Sequence, residues 1–484
     1  MKSFRHRYRR NEVLTSLAQN QGGLLVLLVW LFISPLASNL IDNISSPDLI
    51  KIENDYTPDK KLLWRGGYFY AGNSATLNQL LEPTRTLVAF FVIVFLLNGL
   101  IRKNFGHFDT TEVWMAVFSL ILVVSVLLKS KVVGYSTRVA SDAFIVPFLA
   151  YFIARRLITT EDRYRRLVKT VAYMGVYLIV ISLIERGTQE GLFYRLSGPF
   201  QTSTTLYMVM MVAFFIVLAE HFYTPSVGGD KIPLPRSARR LVVYLTPIVI
   251  LLIWSRGAWV GFLMGLCVFL VLGQRLMKPS QRSGLVGIGL MFVAMISFGV
   301  QELAQSLDER VGESLTVYGR IATWMVAIKS GLTSPIFGIG LNNIREVLAT
   351  NTVEFQGVAN FPRIHNSFLQ ILAEQGVVGL VVYLSIMVLI VRLGFRIRQA
   401  SLHARDRWRG ISLIAIMIAY LAPAMFASTA HLHVTLAHVF VYAFCGALAG
   451  RYGRRRRTSE FYAFRGKQQL MIRPMPAAVR YSQQ

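Results

Sequence analysis

The sequence predicts an all-α, polytopic membrane protein. Its 484 residues are 54% hydrophobic and only 16% charged, and the mean hydropathy is +0.48. Apolar runs of roughly 15 to 20 residues recur along the chain, and as helices such runs cross about 30 Å of hydrocarbon. We therefore expect about twelve transmembrane helices, with a long helical outer loop between the ninth and tenth spans.

The apolar runs give the predicted spans in order. They lie at residues 23–41, 87–101, 113–129, 142–157, 168–185, 202–219, 241–254, 257–273, 284–300, 377–394, 411–427 and 435–450. The first run follows a basic N-terminus and has no small-residue cleavage site after it. We expect it to remain in the protein as an uncleaved membrane anchor.

The distribution of basic residues predicts the topology. With the N-terminus inside, about two thirds of the 51 lysine and arginine residues lie in inner segments, as the positive-inside rule requires. Both termini are then cytoplasmic and the number of spans is even. The basic clusters, including Arg454–Arg457, indicate topology signals beside anionic lipid, so the predicted partners include the bilayer and exclude nucleic acid.

This layout divides the chain into four parts. Residues 1–300 hold spans one to nine and a first outer loop at 43–83, and residues 301–376 form the second outer loop. Residues 377–450 hold spans ten to twelve, and residues 451–484 form a basic cytoplasmic tail. We expect the 301–376 loop to carry the chemistry, because it is the longest polar-bearing interval between membrane-length segments.

Two helices are predicted in or beside this loop. The range 319–331 places four apolar residues at helical spacing: Ile321, Trp324, Met325 and Ile328. Their face should lie on the membrane or on neighbouring helices, and Pro335, Gly338 and Gly340 should end the helix. Ser367 and Gln370 have the spacing of a capping box at the start of the second helix.

His365 precedes that second helix at the predicted outer surface. An imidazole that titrates near neutral pH can accept a proton from an attacking hydroxyl group. A lone histidine in a loop more often has a structural role, so spacing alone leaves both interpretations open. The other outer histidines, His431, His433 and His438, have no carboxylate partner, and we predict no metal site there.

Three arginines on the outer side could bind an anion. Arg256 lies between two apolar runs in a tight hairpin or broken helix, where a charge costs free energy unless an anion compensates it or the side chain reaches lipid phosphate. Arg195 precedes the sixth span, and Arg320 opens the amphipathic helix. Guanidinium groups match phosphate oxygens, so these three side chains would hold a diphosphate without a metal if they converged.

These motifs together resemble a known family. They are Arg195-Leu-Ser-Gly-Pro-Phe, Ser255-Arg256-Gly257, Tyr318-Gly319-Arg320 with Trp324, Pro335 with Gly338 and Gly340, and His365-Asn366-Ser367-Phe368-Leu369 with Glu374, Gly376 and Gly379. In this order, over residues 195–380, they resemble the O-antigen ligase and Wzy-type polymerase superfamily. Arg363 is not part of that pattern.

The resemblance implies a function and a site. Members of this family are metal-independent, inverting glycosyltransferases of the bacterial inner membrane that use a polyprenyl-diphosphate-linked glycan as donor. By resemblance, Arg256, Arg320 and Arg195 bind the diphosphate in the periplasm, and His365 and Arg320 are catalytic, His365 by activating the acceptor hydroxyl. The acceptor is lipid A-core in a ligase and a lipid-linked glycan in a polymerase; both remain open, for lipopolysaccharide or exopolysaccharide, and no cofactor is implied.

Two other functions are compatible with the sequence. Proteins described as bicarbonate carriers are similar in the same region, and in a small-anion transporter the outer arginines would form a selectivity vestibule. A metal-dependent glycosyltransferase could use Asp48, Asp55 or Asp59, but these residues lie among lysines and fit a solvated surface better. The sequence has no Gly-rich phosphate loop and no paired carboxylates within its spans, which disfavours nucleotide-driven and proton-coupled transport.

Overall fold

The computed structural model describes residues 108–131, 133–188, 196–200, 203–223, 235–309, 311–351, 364–401, 403–425 and 437–453. All regular secondary structure in these ranges is helical. The first two predicted spans, the loop at 43–83 and residues 454–484 of the tail lie outside the described residues.

The helices of the described ranges follow one another in this order. They are α1 (Thr110–Lys129), α2 (Val133–Ala140), a π-helical turn (Ser141–Ile145), α3 (Val146–Leu157), α4 (Glu161–Thr188), α5 (Ser203–Phe222), α6 (Arg236–Leu252), α7 (Arg256–Gly273), α8 (Pro279–Glu309), α9 (Val311–Thr333), α10 (Ile344–Asn351), α11 (Ser367–Ala400), α12 (Ala404–Ala424) and α13 (437–453).

Six helical segments within the described ranges are long and apolar enough to cross a bilayer. They are Thr110–Lys129, Glu161–Thr188, Ser203–Phe222, Arg256–Gly273, Pro279–Phe298 and Ser367–Ala400. The prediction of an all-helical, multi-pass membrane protein is confirmed. The count of twelve spans stays a prediction.

The helices of the bundle pack through small residues. A Cβ atom added at Gly265 on α7 would lie 2.8 Å from Cβ of Ala419 and 2.9 Å from the carbonyl oxygen of Ala415, both on α12. One at Gly394 on α11 would lie 2.6 Å from a side-chain carbon of Ile414. Such close backbone approach is how membrane helices gain van der Waals contact, because lipid offers no hydrophobic driving force between them.

The antiparallel packing gives the bundle two ends. Along the α7–α12 contact, Gly273 meets Trp408 while Gly261 meets Pro423, so α7 begins beside the C-terminal end of α12. We call the end with Glu161, Glu220 and Arg409 the arginine end. The opposite end, which carries Arg256 and His365, is the motif end.

A network of buried ion pairs holds the arginine end. Arg409 is 1% exposed, and its guanidinium lies 2.9 Å from both Glu161 and Glu220. Arg405 Nε donates to Glu220 Oε2 at 3.0 Å, and Arg451 lies 2.6 Å from Asp406 Oδ1. The interpretation of these arginines as topology signals beside lipid was therefore incomplete, because four helices share them with carboxylates inside the protein.

A second ion cluster joins α1 to α3 at the same end. Glu112 is buried and accepts from Arg155 Nη1 at 2.6 Å and from Arg156 Nη1. Asp109 caps α1 in a capping box with Glu112 and lies 2.9 Å from Arg155 Nε. The first described helix is thus tied to the rest of the bundle by charge as well as by packing.

Candidate functional site

His365 lies at the start of α11, as predicted, but the cap differs from the prediction. Asn366, in extended conformation, is the N-cap, and its side-chain oxygen accepts from the backbone N–H groups of Phe368 and Leu369, both at 3.0 Å. The predicted capping box at Ser367 and Gln370 is wrong because Ser367 is already helical and fully buried. His365 itself is half-buried in the left-handed region, with φ 51°.

Helix α9, which carries Arg320, is held against the segment just before His365. Trp324 Nε1 donates to the carbonyl of Ile364 at 2.8 Å. The Thr323 hydroxyl donates to the Arg320 carbonyl at 2.8 Å and lies 3.5 Å from the same Ile364 oxygen. These bonds hold residues 320–324 of α9 against Ile364, the residue that precedes His365.

The amphipathic helix predicted at 319–331 forms part of α9, and most of its predicted apolar face lies on the protein surface, one of the two expected surroundings. The residues that pack inward are small, namely Ala322, Thr323, Ala327 and Ser330. Trp324 is partly buried against this cluster. Three of the predicted apolar residues, Ile321, Met325 and Ile328, are 43–55% exposed in the protein and form a surface suited to lipid.

Two turn signals of the sequence, at residues 335–340 and at Gly376, contact each other at the motif end. Ile339 N donates to Ala373 O at 2.9 Å, and Gly340 N donates to Glu374 O at 3.0 Å. In return, Val377 N donates to Pro335 O at 2.8 Å. Gly376 interrupts α11 with φ 68° and ψ −169°, which frees the backbone groups that make these bonds.

We call the contact between residues 335–340 and 373–377 the backbone crossing. Glycine is required on both sides of it. A Cβ atom added at Gly338 would lie 2.3 Å from the carbonyl carbon of Glu374, and one at Gly376 would lie 2.3 Å from the carbonyl oxygen of Ile336. Both residues also have positive φ, which favours glycine. The spacing of Pro335, Gly338 and Gly376 therefore encodes a backbone contact.

The C-terminal end of α1 holds the same crossing from the other side. Lys129 Nζ donates to Gly338 O at 2.8 Å, and Asn343 Nδ2 donates to Lys129 O at 2.8 Å. Ser125 Oγ accepts from the backbone of Leu341 at 3.0 Å and from Gln375 Nε2 at 3.2 Å. This role of Lys129 was not predicted; its signal in the sequence is a lysine on the side that the positive-inside rule leaves poor in basic residues.

The bond from Lys129 predicts a measurable stability effect. We expect Lys129→Met to lower the free energy of unfolding by about 1 kcal/mol, since it removes a charge-assisted bond to a buried loop while the lysine remains partly in solvent. Thermal unfolding in detergent would measure this. Lys131→Met is the matched control, because Lys131 pairs with Glu346 on the surface and should have little effect. Equal shifts in the two variants would contradict the prediction.

Arg256 lies in the predicted tight turn between two helices. Helix α6 ends at Leu252, and α7 begins at Arg256 with Ser255 as its N-cap. Trp259 Nε1 donates to Ile250 O at 3.0 Å and so closes the turn, while Arg256 itself is exposed. The structure thus confirms the short helical hairpin and places its arginine at the motif end.

Arg195 lies outside the described residues, and so do Arg363, His431 and His433. The turn that follows Arg195 is held by a residue that sequence analysis missed. Glu185, near the end of α4, accepts from Ser197 N at 3.1 Å and from Gly198 N at 2.7 Å. The turn therefore lies at the motif end, since α4 runs away from Glu161.

The structure thus places the predicted residues as follows. Ile364, next to His365, is hydrogen-bonded to α9, the helix that carries Arg320, and Arg256 lies at the same end on α7. His438 is buried and hydrogen-bonds Tyr420 at 2.8 Å, away from the outer surface where it was predicted. Within the described ranges, no group of three or more His, Cys, Asp or Glu side chains could hold a metal ion.

The fold and these motifs define a multi-pass helical membrane protein with its polar motif residues at one end. Residues 241–384 match the family model described as O-antigen ligase, so this segment is similar to that family. The resemblance found in the sequence is confirmed. The match includes Arg256, Arg320 and His365 but not Arg195. No curated protein matches the chain.

Proposed function

We propose that this protein transfers a glycan from a polyprenyl-diphosphate donor to a sugar hydroxyl of lipid A-core or of a lipid-linked glycan. The O-antigen ligase match supports a glycosyl-transferring enzyme of surface polysaccharide synthesis. The observation that supports the proposal further is the bond from Trp324 to Ile364, because it holds the helix that carries Arg320 against the residue before His365. The protein then has twelve spans in the inner membrane, both termini in the cytoplasm and the 301–376 segment in the periplasm.

The proposed reaction is an inverting displacement. The acceptor hydroxyl attacks the anomeric carbon while the bond from that carbon to the diphosphate oxygen breaks, and polyprenyl diphosphate leaves. The proton of the hydroxyl passes to the imidazole of His365. Arg320 and Arg256, with Arg195, stabilise the negative charge that grows on the leaving diphosphate, so no metal is needed.

One prediction concerns donor binding. We expect Arg256→Lys to raise the KM for the lipid-linked donor about tenfold, since a point charge replaces a bidentate fork. Steady-state kinetics with a purified lipid-linked glycan would measure it. Arg282→Lys is the matched control, because Arg282 is an exposed arginine that bonds the backbone of Gln274 near the arginine end. An unchanged KM in Arg256→Lys would remove Arg256 from the donor site.

Another prediction concerns metal. Excess EDTA should leave the transfer rate unchanged, because guanidinium groups and not a cation neutralise the diphosphate in the proposed site. The assay needs only the purified protein, donor and acceptor. Activity that EDTA abolishes and magnesium or manganese restores would instead favour a metal-dependent transferase.

The function itself is best tested by direct competition between acceptors. Purified protein receives a lipid-linked glycan together with lipid A-core and a lipid-linked repeat, and the products are separated. Transfer to lipid A-core identifies a ligase, and chain extension identifies a polymerase. Saturable anion flux into reconstituted vesicles without any transfer would contradict the proposal and favour the small-anion transporter.

A further inference from the structure

Helix α6 begins with a cluster of three arginines at the arginine end. They are Arg236, Arg239 and Arg240. Arg236 and Arg240 are exposed, whereas Arg239 is half-buried beside the inward face that carries Ala238 and Val242. The cluster therefore combines two solvent-facing cations with one that points into the protein.

The inward guanidinium has donors without acceptors. The Nε and Nη1 atoms of Arg239 are fully buried and have no hydrogen-bond partner in the described structure. On the neighbouring end of α5, Nδ1 of His221 is buried and unpartnered as well. The His221 ring lies 6.3 Å from that of Tyr244 on α6, so the two helices meet at this point.

Glu220, a carboxylate on α5 that interacts with Arg239, is already paired with other arginines. Glu220 Oε2 accepts from Arg405 Nε at 3.0 Å, and Glu220 Oε1 accepts from Arg409 Nε at 2.9 Å. Burial, together with repulsion from Arg236 and Arg240, lowers the pKa of Arg239. A partly buried guanidinium in such surroundings is unfavourable unless an anion accompanies it.

The backbone adds to the positive potential at the same place. Pro235 is the N-cap of α6 and has no side chain that could accept from the first-turn N–H groups. The positive end of the helix dipole therefore lies beside the arginines. Uncapped N–H groups next to guanidinium groups are a recurring way in which proteins bind phosphate.

We propose that a phosphate group binds at the junction of α5 and α6. Arg239 holds it through Nε and Nη1, and Arg236 and Arg240 flank it from the solvent side. Two sources offer this chemistry: the headgroup of an anionic phospholipid and a free phosphate ion. This site lies at the opposite end of the bundle from His365 and is independent of the proposed transfer reaction.

The test follows thermal unfolding of the purified full-length protein in detergent. It is titrated with phosphatidylglycerol, with inorganic phosphate, and with diacylglycerol as a phosphate-free lipid. We expect saturable stabilisation by phosphatidylglycerol or phosphate and none by diacylglycerol. Stabilisation by both phosphate sources identifies a site open to the free ion, and stabilisation by the phospholipid alone identifies the headgroup as the ligand.

Variants distinguish a built site from general attraction to anions. Arg239→Gln should bind about tenfold more weakly, the loss expected for one charge-assisted hydrogen bond. It should also be more stable than wild type without phosphate, because it removes an unpaired buried charge. Arg396→Gln, which removes an exposed arginine of α11 toward the same end, should bind as wild type does.

The proposal is overturned if neither phosphate source stabilises the wild type, or if Arg239→Gln and Arg396→Gln weaken binding equally. Should Arg239→Gln fail to fold, Arg240→Gln decides the question. Its side chain is exposed, so the fold should tolerate the change while the binding midpoint still rises. A midpoint unchanged in Arg240→Gln would then count against the site.

Discussion

Replacing His365 by alanine should lower the turnover of glycan transfer by about 100- to 10,000-fold, the range over which a positioned general base contributes. Donor binding should remain nearly unchanged, because the proposed diphosphate contacts come from arginines. The kcat and KM measured with a purified lipid-linked donor would separate the two effects. His403→Ala is the matched control, since His403 is an exposed histidine at the opposite end of the bundle.

The backbone of His365 requires a second variant. His365 has φ 51°, where alanine is strained, so His365→Ala could lose activity through misfolding. Asparagine tolerates this conformation and cannot serve as a base, so His365→Asn should fold normally and still be inactive. A fully active His365→Asn would exclude the histidine as the base.

The pH dependence gives an independent check on the same residue. The wild-type rate should fall on acidification, because a protonated imidazole cannot accept the hydroxyl proton. This acidic limb should vanish in the residual activity of the His365 variants. An acidic limb that persists unchanged would assign the titration to another group.

The second large effect concerns the backbone crossing of Gly338 and Gly376. We expect Gly376→Ala to lower the free energy of unfolding by more than about 4 kcal/mol, because the new methyl group would overlap the carbonyl of Ile336 at a residue with positive φ. Thermal unfolding and the yield of monodisperse protein would show it. No flexible side chain can move aside to relieve the overlap, since the atoms that the methyl group would meet are main-chain atoms.

The matched control is a glycine in open space. A Cβ atom at Gly287, within α8, would meet nothing within 4 Å. Gly287→Ala should therefore be neutral or stabilise the protein by up to about 1 kcal/mol, because alanine is the better helix former. If Gly376→Ala were as stable as Gly287→Ala, the crossing would not be a feature of the folded protein.

The sequence predicted the membrane helices well where hydropathy alone decides them. The span predicted at 257–273 coincides with α7 to within one residue, and that at 113–129 ends with α1. The start of α4 was placed seven residues too late, at 168 and not at Glu161. Glu161 is polar and pairs with arginines far along the chain, and hydropathy cannot reveal such pairing.

The candidate site was predictable in its parts but not in its assembly. Motif spacing placed His365 before a helix and Arg320 on one, and both placements hold. The contact between the helix of Arg320 and the residue before His365 depends on the bond from Trp324 to Ile364, and the pairing of Gly338 with Gly376 depends on contacts between separate segments. Local sequence patterns show that these glycines interrupt helices, but they do not show which residues the glycines contact. The roles of Arg195, Arg256, Arg320 and His365 in the reaction stay predictions.

The ion pairs at the arginine end also imply an order in which the helices pack during biosynthesis. A ribosome makes Glu161 and Glu220 long before it makes Arg405, Arg409 and Arg451, with which they pair. Until the last helices arrive, two carboxylates destined for burial lack these counterions, and the early half of the bundle cannot close around them. The late arginines thus complete the charge balance that allows the earlier helices to pack.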